Sequence, residues 1–387
     1  MAQTYKFGKD GTWATKKGST LAYSDTNNAF KPLPFSFERN SIATRVNKEG
    51  LIEVVGNDIP RIDYTDSTEG VLLLEPSRTN YASNSIAFNE WSNGITYITS
   101  NYAISPDGTL NASRCLFTSE NQLIFSGTSA TGTVTSSVYV KGVKNETLYL
   151  GAGGLGEVIT LNGEWQRIQT TQTNINGQIS INTAGGATAR DFLIWGAQLE
   201  VGNLSSYIPT NGSTVQRAAE TCNESGNSEV FNDSQGVLFA DVAALSNDGT
   251  NRQITLSDGT TSNRVYFTYS TVSNQFSASI ISSGSLSFNT NYTSTDLTNY
   301  HKILIKYKQN DFSLWVNGFK IATDTIGNTP SGLKNINLSS STSALPFYGK
   351  TKEIAYYDEI LTDLELETLT SYRSLNEMVT ELNLNAL

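Results

Sequence analysis

The chain has 387 residues, which at roughly 150 residues per domain predicts two or three domains, each able to bury its own core. Hydrophobic residues make up 38% and charged residues 16%; Gly, Ser, Thr and Asn fill the difference, which excludes a mainly helical protein and points to turns and solvated strands. The formal charge of −10 repels phosphate backbones and anionic lipid, excluding nucleic acid and membrane surfaces as partners.

Residues 1–80 read as an irregular β module. Phe35-Ser36-Phe37-Glu38-Arg39 and Leu51-Ile52-Glu53-Val54-Val55 are apolar-rich runs around the turn signal Asn47-Lys48-Glu49-Gly50. A third run, Val71 to Leu74, is closed by Glu75-Pro76. The opening residues lack the apolar run of a signal peptide, and no stretch approaches the ~20 apolar residues of a membrane span. The sequence therefore predicts a soluble chain that is not exported by the usual leader.

Residues 81–217 carry short alternating or apolar runs, among them Ser137 to Gly142, Thr147 to Leu150, Trp165 to Ile168 and Phe192 to Glu200. Turns separate them at about ten-residue spacing, the pattern of a sandwich or barrel. The glycine-rich segment Gly151-Ala152-Gly153-Gly154-Leu155-Gly156 joins two strands. With no helix following it, it reads as a loop or bulge and not as a phosphate cradle.

Residues 218–235 are polar and read as a linker. Residues 236–375 form a further sandwich, from Gly236 to Val242 through Arg264 to Phe267, Gln275 to Ile280, His301 to Tyr307 and Phe312 to Gly318 to Lys352 to Tyr357. Ile303, Ile305 and Tyr307 face one way along their strand, with His301, Lys302, Lys306 and Lys308 mostly solvated. The period then turns helical: Leu361, Leu364, Leu366, Leu369 and Tyr372 follow Thr362, an N-cap with Glu365 three residues on. Residues 376–387 form a C-terminal tail that extends the helix or meets a partner. The fold class predicted is mostly β: an irregular N-terminal module, two β-sandwich (jelly-roll) domains and a short C-terminal helix.

His301 is the one histidine, so Ser-His-Asp triads and His-rich metal sites fall away. Cys115 and Cys222 form neither a CxxC site nor a disulfide framework, and read as buried free thiols of a protein assembled in a reducing cytoplasm. A glycosidase needs two carboxylates on a concave sheet. No strand has Glu-x-Asp-x-x-Glu spacing; Glu353, Asp358 and Glu359 are out of step, and Asp363, Glu365 and Glu367 lie on the helix's outer side. These charges read as solvated, and the chain as a non-enzyme. Asn247-Asp248-Gly249 and Ser257-Asp258-Gly259 read as turns. They are compatible with a structural calcium ion, but no ligand motif supports one, so no cofactor is expected. Sugar rings stack on exposed aromatic faces. Trp195 and Trp315 sit in apolar strands and read as core, which leaves Tyr266, Tyr269, Tyr292 and Tyr300 as candidate ligand-binding residues.

Three stretches resemble known pieces. Ser36 to Asn47, Gly50 to Val55, Pro60-Arg61-Ile62-Asp63-Tyr64 and Gly70 to Asn80 follow, in order, the motifs of a module in phage head-spike and head-fibre proteins. Trp195 to Glu200, Ser206 to Thr210 and Gln216 to Glu220 resemble the closing strand and exit of a carbohydrate-binding-like sandwich. Leu314 to Gly318, the Ile354 to Asp358 strand and Leu361 to Glu365 resemble a laminin-G/concanavalin-like jelly roll. The resemblance implies a virion surface protein, a head fibre or decoration, assembled in the host cytoplasm. Its N-terminal module would bind other virion proteins, and its sandwiches, in a homo-oligomer, would meet host glycans or partner proteins. A tail-fibre receptor-binding protein and a glycan depolymerase are the alternatives.

Overall fold

The computed structural model describes residues 1–93, 96–119, 122–126, 128–183, 189–382 and 384, with the backbone alone for 93 and 96. The chain is mostly β, with two short helices among the described residues. It divides into two compact units. Unit 1 holds residues 1–39, 57–76 and 220–387; unit 2 holds 40–56 and 77–219.

In unit 1, one sheet runs from Phe319–Asp324 through Asp311–Val316, His301–Lys308, Gln235–Ala244 and Gly349–Tyr357 to Tyr5–Phe7. A second sheet holds Ser285–Thr293, Gln275–Ser282, Arg264–Tyr269, Arg252–Ser257 and Asn335–Asn337. The alternate positions Leu238, Ala240 and Val242 of one and Ile254, Leu256 and Val265 of the other meet in a shared core. This is how period-2 sequences make a sandwich. Leu366 of helix α1, Asp363–Thr370, and Leu361 just before its cap lie on the other face of the first sheet, against Phe239, Leu304 and Trp315. Its start is the predicted capping box: the Thr362 hydroxyl accepts from the Glu365 amide at 3.4 Å, and Glu365 Oε2 accepts from the Thr362 amide at 2.8 Å.

Four expectations change here. Residues 1–80 are no separate module: Tyr5–Phe7 and Val71–Leu74 both pair with Gly349–Tyr357, so their backbone groups are satisfied only inside unit 1. Residues 218–235 are no linker, because Thr221–Asn223 pairs with Phe35–Glu38 and Cys222, Val230 and Phe231 enter the core. The tail opens with a second helix, α2 (Leu375–Glu381), capped by Ser374. His301, Lys302 and Lys306 are buried: His301 shares the core face of Ile303 and packs against Phe276 and Tyr292, while the helices cover the lysine face that alternation assigned to water. The lysines reach partners with their ammonium tips, Lys302 to Glu377 at 2.6 Å and Lys306 to Asp311 at 2.5 Å.

The ends of unit 1's three segments are joined by a buried ion network. Arg39 Nη1 donates to Glu220 Oε1 at 2.8 Å, and Arg61 Nε to the same oxygen at 2.9 Å. Arg61 also pairs with Glu75 at 2.8 Å. Burial lowers the pKa of Arg61, but Glu220 and Glu75 outweigh it and raise the pKa overall.

Unit 2 is a sandwich of two five-stranded sheets. One holds Thr96–Ile104, Leu110–Phe117, Arg190–Val201, Ala130–Lys141 and Gln166–Gly177; the other holds Ser92–Asn93, Leu123–Phe125, Ile179–Thr183, Thr147–Ala152 and Leu155–Thr160. Val138, Leu148, Ile181 and Ile194 lie in the core between them. Trp195 packs at 4.7 Å between ring centroids on Tyr207 and at 5.5 Å on Tyr139. The Asn80 side chain donates to the carbonyls of Ala197 and Ile208 and accepts from the Leu199 amide, all at 2.8–3.0 Å.

Candidate functional site

A cavity of about 660 Å³ opens in unit 1. The strands bring Asp241 and Glu353 to its wall as direct partners in an antiparallel ladder, which places side chains on one face about 4.5–5.5 Å apart at Cβ. Each residue is 7% exposed. Asp241 Oδ1 is buried without a hydrogen-bond partner among the described residues. Burial pushes the Asp241 carboxyl up to about 7, with Lys352 opposing. Burial also raises Glu353, against the pull of Lys9, whose Nζ lies 3.5 Å from Oε1.

The rest of the cavity is polar. Acidic Asp10, Asp66, Glu69, Glu377 and Glu381 join Asp241 and Glu353, against Lys352 and Arg373 as the two cations, with Tyr64, Thr65, Ser67 and Asn376 between them. Helix α2 supplies Glu377 and Glu381, tied to the sheet by Lys302 and Lys352. Ion pairs to Lys9, Lys302, Lys350 and Lys352 offset most of these carboxylates, which leaves a wall of acceptors with a small acidic excess. It suits neutral, hydroxyl-rich molecules and disfavours anions.

Spacing along one strand missed this pair. Glu353 is not solvated, and its partner Asp241 lies on a strand far away in sequence, so only the fold brings the two together. Asp248 and Asp258 sit in turns: Asp248 accepts from Arg252 at 2.7 Å and the Thr250 amide at 3.0 Å, Asp258 from the Thr260 amide at 2.6 Å. Among the described residues no three His, Cys, Asp or Glu side chains converge as a metal site. His301 is structural, bonded to Ser294 Oγ at 2.7 Å and the Asn299 carbonyl at 2.8 Å.

The four candidate tyrosines do not form a common surface. Tyr269 is buried between Phe276 and Phe347, and Tyr300 is buried with Lys352 Nζ 3.8 Å over its ring, so neither presents a stacking face; packing in the core consumed both. Tyr292 is half-buried against Phe276. Tyr266 is half-buried under the Arg264 guanidinium at 4.3 Å. Trp195 and Trp315 are core residues, as their strands predicted, and Cys115 and Cys222 are buried free thiols.

No family model and no curated protein matches the sequence. Among solved structures, the chain is similar to the CBM40 domain of the Ruminococcus gnavus IT-sialidase bound to α2,3-sialyllactose. That match has 17% identity and a TM-score of 0.32, and covers 38% of this chain and 94% of that one. A Trypanosoma rangeli sialidase in complex with sialic acid matches at 12% identity and a TM-score of 0.30, over 91% of this chain and 66% of that one. The leech intramolecular trans-sialidase matches at 15% identity and 0.31, over 37% and 24%. At these TM-scores none of the likenesses bears on the ligand.

Proposed function

We propose that the chain is a non-catalytic glycan-binding protein displayed on a phage particle as a head fibre or decoration. The observation that carries the binding half is the unit 1 cavity, whose wall carries carboxyl, hydroxyl and amide side chains, Asp241 and Glu353 among them. Sugar hydroxyls complement such a lining, and the excess of acidic groups selects neutral or amino sugars over sialic or uronic acids. The virion half rests on the ordered motifs of residues 36–80. A full-chain glycan microarray tests the first half, and neutral or amino glycans should be retained over acidic ones. Mass spectrometry of purified particles tests the second, and absence of the chain from them would contradict it.

A hydrolytic reading has one specific support, the Asp241–Glu353 pair, two carboxyl groups directly opposite each other on adjacent strands. Binding is the better account because Lys9 engages Glu353, which leaves the pair without a free nucleophile. Release of reducing ends from a bound glycan, lost in Asp241→Asn, would reverse that choice.

A further inference from the structure

Unit 2 carries a second open groove, of about 540 Å³, on the outer face of its Leu123–Phe125, Ile179–Thr183 and Thr147–Ala152 strands. Alternation builds it. Ile124, Leu148, Leu150, Ile179 and Ile181 point into the core, which turns Leu123, Phe125, Tyr149, Ser180 and Asn182 outward. Register sets the pattern across the face: Asn182 lies between Leu123 and Tyr149, and Ser180 is paired with Phe125. Two half-buried aromatic rings thus flank a floor of small polar side chains.

The glycine-rich segment shapes one end. Gly153 and Gly154, at φ 57° and 84°, make the two-residue turn between paired Ala152 and Leu155, a turn that needs both central residues left-handed. Gly177 packs against Gly153 so closely that a Cβ on Gly177 would stand 2.2 Å from its Cα. On the neighbouring strand, a Cβ on Gly156 would come within 2.8 Å of the Tyr149 ring. The segment therefore keeps the rim low and lets the Tyr149 ring lie over the backbone.

Two properties indicate what fills the groove. Among the described residues no lining side chain is charged, in a chain whose net charge is −10. The side chains of Tyr149, Gln178, Ser180 and Asn182 line the groove, and none is hydrogen-bonded to another described residue. Aromatic faces bordered by unengaged amides and hydroxyls match a ligand with apolar faces and hydroxyl edges and no charge. A charged peptide or a nucleic acid would find no counter-charge there.

We infer that this groove is a saccharide-binding site for neutral oligosaccharides, with Phe125 and Tyr149 as stacking platforms and Gln178, Ser180 and Asn182 as hydroxyl readers. It is independent of the cavity in unit 1.

The test is calorimetric titration of the full chain with neutral hexaoses (cello-, xylo-, laminari- and manno-), with oligogalacturonate as the acidic control. At least one neutral hexaose binds. Phe125→Ala and Tyr149→Ala each weaken it about tenfold or more, which corresponds to the loss of ~1.4 kcal/mol. Tyr149→Phe, which keeps the ring, stays within about twofold of wild type. Circular dichroism checks that each variant folds, which the outward orientation of both rings favours. The inference is overturned if no neutral hexaose binds below ~1 mM, if oligogalacturonate binds more tightly, or if both alanine variants bind as wild type. Loss of all binding in Asp241→Asn alone also overturns it and assigns the sugar to the other cavity.

Discussion

Asp241 and Glu353 face each other across two antiparallel strands, two carboxyl groups in one buried corner of unit 1. Asp241 titrates near 7, above its ordinary 3.8, so the folded state holds this proton more tightly than the unfolded chain does. The stability from that protonation is complete below pH ~4 and is lost as the pH rises towards ~7. Asp241→Asn should therefore be close to neutral at pH 4 and stabilising by about 2–4 kcal/mol at pH 8. Thermal unfolding of both proteins across this range checks it; a difference that does not change with pH contradicts it.

Arg61 and Glu220 form a fully buried bidentate pair, with Arg39 and Glu75 as further partners. Removing one charge leaves the opposite charge buried without its partner. Glu220→Gln is expected to cost about 3–5 kcal/mol in urea unfolding. An effect under ~1 kcal/mol would show that the network adds little to unit 1.

Helix α2 has no buried residue, so its position rests on its cap and on Lys302–Glu377 and Lys352–Glu381. Such a segment sits at the low-stability end of a fold. Glu377→Gln should speed amide hydrogen exchange across Leu375–Glu381 several-fold while leaving Gln235–Ala244 protected. Raising the salt to 1 M should act in the same direction. Unchanged exchange in α2 would mean that other contacts hold it.

Trp195 fills the space between Tyr139 and Tyr207 in unit 2. Trp195→Ala should cost about 3–5 kcal/mol, measured by denaturant unfolding followed through unit 2 amides. A cost near zero would contradict its core role.

Strands, the capping box of α1 and the core tryptophans were legible because each depends on near neighbours in sequence and on periodicity. Lys302 and Lys306 were misjudged because alternation describes one face of a strand and says nothing of a helix laid over the other. Residues 218–235 looked like a linker since Cys222, Val230 and Phe231 are too sparse to form a periodic run, yet each finds the core. Arg39, Arg61 and Glu75 lie in the motifs that resemble phage proteins and Glu220 in the exit of the carbohydrate-binding-like sandwich, and in the fold the four form a buried staple, a role that spacing alone does not reveal. Asp241 and Glu353 were illegible for a similar reason: the register of two distant strands makes the pair.

The most direct test of the account is calorimetry on the Tyr149→Ala chain, which silences the unit 2 groove. Neutral and amino oligosaccharides are titrated against matched sialylated and uronate ones, with and without Asp241→Ala. The account predicts binding of a neutral or amino sugar that weakens about tenfold or more when Asp241 is removed. Preference for the acidic sugars, or binding indifferent to Asp241, would contradict it.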